Sequence, residues 1–260
     1  MNEVERQREH FNTIAERYRQ ARSHPNHRRL KDHIWASTLA AAPAPEVRPL
    51  RVLEAMCGYA EGHDIVFKYL CADIAYSGFD YSSTVTDYLQ AHHPDRSIIC
   101  ADATTFESDD VWDVIILIGG LHHVPTHATN VVNRLASCLA PNGLFINLEP
   151  TSGNPVFRWV RERIYARNSL FDEETERAFE VSELAMLFSN NNLKQVDQLY
   201  PGLLAYVLYY NPDAFPRLNI GTPGLVSFLV KLEKWLWRTK PARWFSFATL
   251  SIWQKPVEKS

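Results

Sequence analysis

The stretch Arg51 to Gly62, RVLEAMCGYAEG, decides how this chain folds. Val52 and Leu53 close a short apolar run, and Glu54 stands at its carboxyl end. Cys57, Gly58, Ala60 and Gly62 then make a turn of small residues. Apolar positions at 65, 66, 67 and 70 predict a helix after it. Strand, tight turn and helix form a βα unit, whose loop offers backbone N–H groups and a helix N-terminus to a ligand. A carboxylate at the strand tip suits a ligand with hydroxyls or an ammonium better than one made only of phosphates. No Lys-Ser/Thr pair follows the turn, so the stretch is not a phosphate-cradling P-loop.

Upstream, Val4, Phe11, Ile14 and Tyr18 share one face of a helix predicted over 1–22. Ser23-His24-Pro25 breaks it, and a second helix over 26–41 turns Leu30, Ile34 and Leu39 inward. The proline-rich 42–49 reads as a linker. Downstream, Ala75–Phe79 is a second strand ending in Asp80, and Ser82 or Ser83 caps a helix that reaches about His93. Ser97–Ala101 is a third strand, followed by Asp102. Trp112-Asp113 opens VIILIGG (114–120), the most hydrophobic run in the chain. Such a run fits a strand buried on both faces of a parallel sheet. Thr126–Leu139 is a helix, Pro141–Gly143 a turn, and Leu144–Leu148 a fifth strand ending at Glu149. Parallel neighbours need crossover helices, so this alternation predicts a doubly wound α/β sheet.

Past residue 150 the pattern loosens. A basic helix over Phe157–Tyr165 turns Phe157, Val160 and Ile164 inward, the acidic run 172–176 reads as a solvated loop, and Ser182 caps a helix to Phe188. Strands are expected at Leu193–Leu199 and Phe245–Trp253. The stretch between them is too long for a loop. It holds LLAYVLYY (203–210) and a helix near 224–238. That helix sets Leu225, Phe228, Leu229, Leu232, Trp235 and Leu236 opposite Lys231, Lys234 and Arg238. Turned inward, its apolar side makes an ordinary cap; turned outward, 224–247 makes a peripheral membrane contact. The expected organisation is a helical cap (1–48), a ligand-binding core (49–200), a substrate-cap insertion (201–244), and a last core strand with tail (245–260).

The chain has 260 residues, 46% of them hydrophobic, with net charge −3. The balance gives no basic field for nucleic acid. No apolar run is long enough to span a bilayer, and the charged MNEVERQREH start lacks a signal-peptide core. The four cysteines, at 57, 71, 100 and 138, show no metal spacing, so no metal is expected and a reduced cytoplasm is the simplest location. Cys57 reads as a small packed residue.

RVLEAMCGYAEG resembles motif I of the class I S-adenosylmethionine (SAM) dependent methyltransferases, V-L-D-x-G-x-G-x-G. Glu54 takes the acidic position, while Met56, Gly58 and Ala60 stand at the three glycines. HFNTIAERY (10–18) resembles the lead-in helix of many small-molecule members, which makes Tyr18 an aromatic over the cofactor; docking the helix onto the core is its competing role. WDVIILIGGLHHV and LAPNGLFINLEP resemble the family's fourth- and fifth-strand segments. The resemblance implies a Rossmann-like, seven-stranded sheet with an antiparallel last strand. It assigns Asp80, with Tyr81 beside it, to the ribose diol, and Asp102 and Ala103 to the adenine. A turn or capping role competes for each aspartate. Gly119 lets the methionine part approach the backbone. His122 and His123 then stand beside the reacting methyl. Histidine suits a general base, so His122 is the first candidate, His123 the second and Glu149 a helper; packing under the sheet edge is the competing role.

The implied function is methyl transfer from SAM to a small-molecule, sugar or lipid-linked acceptor, leaving S-adenosylhomocysteine (SAH), with O-methylation in glycan or secondary-metabolite biosynthesis as the leading form. C-methylation of a quinone or polyprenyl acceptor, or a non-catalytic SAM-binding subunit, are the alternatives. A homo-oligomer is compatible with all three.

Overall fold

In the computed structural model, which describes residues 3–40, 42–43, 45–165 and 177–257, two helices precede the sheet. These are α1 (Glu3–Arg22) and α2 (Pro25–Leu39). Pro25 sits in the first turn of α2, where a missing N–H costs nothing. The His24 side chain accepts the Asn26 N–H there. Leu30, Ile34, Trp35 and Leu39 are buried. The acidic run 172–176 and the side chains of Val4 and Ile164 lie outside the described residues.

The alternating units follow: β1 (Leu50–Ala55), α3 (Glu61–Tyr69), β2 (Ile74–Asp80), α4 (Ser83–His92), β3 (Ser97–Cys100), β4 (Trp112–Ile118), α5 (Ala128–Ser137) and β5 (Leu139–Ser152). Then come α6 (Pro155–Tyr165), β6 (Phe179–Glu180), α7 (Val181–Ser189), β7 (Lys194–Leu199), α8 (Leu204–Tyr209), α9 (Pro223–Glu233), α10 (Lys240–Phe245) and β8 (Ala248–Gln254). The sheet order is β3-β2-β1-β4-β5-β8-β7, with β6 paired to the end of β5. β8 runs antiparallel to both its neighbours, and the other pairings are parallel. This is the Rossmann-like, doubly wound arrangement with a reversed last strand. Among the described residues no helix is long and apolar enough to cross a membrane.

Alternation along the strands divides the core between two faces. Val52, Val114, Ile116, Leu144 and Ile146 pack with α2, α3, α8 and α9. Leu53, Ile115, Leu117 and Phe145 pack with α5 and α7 on the other side.

Four expectations need correction. The turn at Pro141–Gly143 lies inside β5: Trp112 pairs with Leu139 and Val114 with Leu144, so residues 140–143 bulge out. Asn142 takes a left-handed φ of 62° within that bulge. α7 is capped by Glu180, in a reciprocal capping box with Glu183, so Ser182 falls within the helix. The last strand starts at Ala248, because Pro241 in a first turn and Thr239 Oγ1 accepting the Ala242 N–H make 240–245 helical. Finally, α9 buries Val226 and Val230 and leaves Leu225, Phe228 and Leu232 exposed. The apolar side is therefore divided: Leu229 and Leu236 pack against the core, and Leu225, Phe228, Leu232 and Trp235 face out.

Candidate active site

The tips of β1, β2 and β4, roofed by α1, enclose two adjoining hollows. The larger, about 700 Å³, is lined by Glu54, Met56, Gly58, Asp80, Tyr81, Gly119 and, from α1, Tyr18. The smaller, about 280 Å³, has a mainly apolar wall from Phe11, Tyr206, Val207, Phe215 and Phe247, with His122 and Glu149 among its polar groups. Tyr18, Ile118, Gly119 and His123 belong to both walls and mark where the hollows meet.

The loop after β1 shows why two replaced glycines do not disturb it. Met56, Gly58 and Ala60 all take left-handed φ values, 52°, 49° and 57°. Only glycine enters this region freely; other residues lose roughly 1–2 kcal/mol there. The neighbouring contacts hold the shape. Cys57 N–H donates to the Phe79 carbonyl at 2.9 Å, and Ala60 N–H to the Cys57 carbonyl at 2.8 Å. The Met56 sulfur lies over Gly120, where an added Cβ would meet it at 2.7 Å. The position that kept its glycine differs: a Cβ at Gly58 would have no atom within 4 Å. It would project into the larger hollow. Gly119, with φ of 61°, is similarly bare, with only His122 Cε1 at 3.6 Å. Burial pushes the Cys57 thiol up, as suits a packed residue rather than a nucleophile.

Two carboxylates stand behind this loop. Glu54 is buried; one oxygen accepts the Gly62 N–H at 2.8 Å and the other the Tyr76 hydroxyl. Burial pushes its pKa up to about 8, against the pull of these two donors. Gly62 must lack a side chain, since a Cβ there would come within 2.6 Å of the Glu54 carboxyl carbon. Asp80 accepts the Gly58 N–H at 2.9 Å and the Ser82 N–H at 3.0 Å, and burial raises its pKa too. The Ser82 hydroxyl donates to Asn12 of α1, which joins the roof to the β2 tip. Buried acids beside bare glycine backbone suit a ligand carrying hydroxyls, as SAM does.

Three expected cofactor residues are elsewhere. Ala60 is buried in the core as the N-cap of α3. Asp102 turns back on Thr104, accepting its N–H at 2.8 Å and its hydroxyl at 2.9 Å. Neither Asp102 nor Ala103 lines the larger hollow. The local Asx turn claims the aspartate.

At the junction of the hollows, Gly120 opens a short 3₁₀ turn over Leu121–His123. Glu149, fully buried at the edge of β5, accepts the Gly120 N–H at 3.0 Å and the Leu121 N–H at 2.9 Å. Its second oxygen lies 2.9 Å from His122 Nδ1. A carboxylate accepts, so Nδ1 is the donor of this pair. The His123 ring lies 4.0 Å from that of His122. Sequence reasoning missed Arg22, whose guanidinium lies over the Tyr18 and Tyr210 rings at 4.3 and 5.2 Å. It also donates to the Tyr210 carbonyl and, at 3.2 Å, to Asn211 Oδ1. It lines both hollows. Its sequence setting, an arginine-rich helix end, looks like a solvated face. Among the described residues no group of three or more His, Cys, Asp or Glu is placed to hold a metal ion.

Solved structures share this fold. The complex of the Haloferax volcanii Trm112 methyltransferase activator with a methyltransferase contains a chain that superposes with a TM-score of 0.60 at 18% identity, covering 97% of this chain and 99% of that one. The plantazolicin methyltransferase BpumL, solved with a pentazolic desmethylPZN analogue and SAH, gives 0.59 at 13% identity, with 94% and 90% covered. The cyclopropane synthase MmaA2 from Mycobacterium tuberculosis gives 0.58 at 14%, with 86% and 83% covered. These likenesses concern the fold. The sequence itself matches the family model described as a methyltransferase domain over residues 26–198, more than half of the chain, and the chain therefore belongs to that family of SAM-dependent methyltransferases.

Proposed function

We propose that the larger hollow takes SAM and the smaller one a compact, largely apolar acceptor that is methylated at a hydroxyl. Asp80 serves the cofactor's hydroxyls, Glu54 stands behind the turn that it holds through the Gly62 N–H, and Gly58 and Gly119 let the cofactor lie against the backbone. The bound cofactor supplies a methyl group on a positively charged sulfur, which a nucleophile displaces in line. The chain's own work is alignment, exclusion of water and removal of one proton. His122 Nε2 takes the acceptor hydroxyl proton as the new O–C bond forms and the S–C bond breaks. Glu149 holds the ring in the tautomer that can do so and balances the charge it gains. Glu149 is a positioning residue: backbone N–H groups and His122 Nδ1 occupy its oxygens.

One observation carries this reading: the His122–Glu149 pair, 2.9 Å apart, beside the junction of an apolar cavity and a glycine-bare hollow. The test is calorimetric titration with SAM and SAH, then transfer of labelled methyl to apolar phenols, alcohols and glycolipids. His122→Ala is expected to lower turnover by roughly 10²–10⁴-fold with SAH affinity unchanged. Equal turnover would remove His122 as the base. Label found only on carbon of a quinone would replace the hydroxyl reading. Tight cofactor binding with no transfer to any acceptor would favour a non-catalytic subunit.

A further inference from the structure

α9 presents to solvent the side chains that its sequence would hide. Leu225, Phe228, Leu232 and Trp235 recur at steps of three, four and three, which places them along one line of the helix and its 3₁₀ extension. Phe228 is 56% exposed, Leu232 55% and Trp235 71%. The Trp235 indole N–H donates to the Leu232 carbonyl at 2.7 Å, so the ring is held at the surface. On α10, Trp244 and Phe245 are also about half exposed. Single exposed apolar residues are ordinary, whereas a row of them marks a contact surface.

The charges say what kind of contact. Between 223 and 245 the cations are Lys231, Lys234, Arg238, Lys240 and Arg243, all exposed. The one acid, Glu233, is folded inward and accepts the Ala205 N–H at 3.2 Å, at the start of α8. Asp197 pairs with Arg238. Arg29 of α2 adds a further cation alongside, bonded to Ser227 of α9 at 2.6 Å. The outward face is thus aromatic and aliphatic with a mainly cationic rim, whose acids Asp32 and Asp197 are each paired with a cation. A two-fold dimer through it would set that rim against itself. A bilayer with anionic headgroups complements both parts: indole and phenyl rings settle at headgroup depth and the ammonium groups meet lipid phosphates.

We propose that the 223–245 face docks this chain on an anionic membrane surface, Phe228, Leu232 and Trp235 entering the headgroup layer and Lys231, Lys234, Lys240 and Arg243 lying on lipid phosphates. This stands apart from the choice of acceptor. Its consequence for the site follows from packing: α9 rests on α8, and α8 supplies Tyr206 and Val207 to the wall of the smaller hollow. α8 therefore links the docked helix to the wall of the smaller hollow.

Flotation of the full chain with phosphatidylcholine vesicles, and with vesicles of equimolar phosphatidylcholine and phosphatidylglycerol, tests the proposal. Partition onto the anionic vesicles should be roughly a hundredfold stronger and should weaken as salt is added. Phe228→Ser with Trp235→Ser should abolish flotation, and Lys231→Glu with Lys234→Glu should remove the preference for phosphatidylglycerol. SAH titration of each variant checks that the fold is intact. Recovery that is equal on both vesicles, absent from both, or undiminished in the Phe228→Ser, Trp235→Ser variant overturns the proposal. So does light scattering that finds a wild-type dimer dissociated by Trp235→Ser, since the face would then belong to a second copy.

Discussion

A methyl group added at Gly58 would meet nothing but the larger hollow, yet the backbone there is left-handed. Gly58→Ala is therefore expected to cost about 1–2 kcal/mol of stability and to weaken SAH binding, because the methyl stands where the cofactor should lie. Calorimetric titration beside urea unfolding separates the two effects, and unchanged affinity would show that the cofactor does not approach this loop. Glu54 gives a pH signature. Its folded pKa is raised from 4.5 to about 8. Between those values the unfolded chain is ionised while the folded one keeps its proton. The group's contribution to stability is complete below pH 4.5 and is lost as pH rises through 8. Glu54→Gln has no such proton, so its unfolding free energy should fall less over that range than the wild-type value; parallel pH profiles would refute the assignment. At the other hollow, Glu149→Gln should lower kcat roughly 10–100-fold while the KM for SAM holds. The strand-tip placing of these acids was legible from apolar runs ending in Glu or Asp. The direction each carboxylate turns was not: Asp102 found a partner two residues away in Thr104, and nothing in the residue types distinguishes that from a reach toward a ligand.

Elements show the same division. The βα units announce themselves because apolar runs alternate with glycine, proline and capping residues. For α9, periodicity names two faces and does not say which finds the core. The apolar stripe is the richer face, but Val226 and Val230 fit the sheet side, and most of the stripe stays outside, with only Leu229 and Leu236 turned in. In α1, Arg22 was unreadable because its partners, Tyr210 and Asn211, lie nearly two hundred residues away. Its two acceptors and two rings tie the roof to the segment after α8. Arg22→Ala should cost about 1–3 kcal/mol and raise the acceptor KM, since Tyr18 and Tyr210 lose the cation between them. Thermal unfolding with acceptor titration measures both. A variant as stable as the parent would show that the roof is held by Asn12 and Ser82 instead.

For the molecule as a whole, sheet order decides where chemistry can occur: the strand order reverses between β1 and β4, and a crevice opens at the strand ends there. SAH at a hundredfold excess over its Kd should stabilise the chain by about 2.7 kcal/mol, a rise of about 5–10 °C in melting temperature for a domain of this size. Asp80→Ala should erase that rise, and a full shift in the variant would move the ribose elsewhere. This large-scale plan was the most legible part of the sequence, because it depends on many apolar residues at once, while the roof depends on a few contacts between distant segments. Met56 links the two strand ends that matter most. Its thioether wedges the β1 loop against Gly120, one residue ahead of the His122 turn, and the same side chain borders the larger hollow. A sulfoxide oxygen would force those two loops apart, so mild peroxide should inactivate the protein, methionine sulfoxide reductase should bring the activity back, and Met56→Leu should resist the treatment.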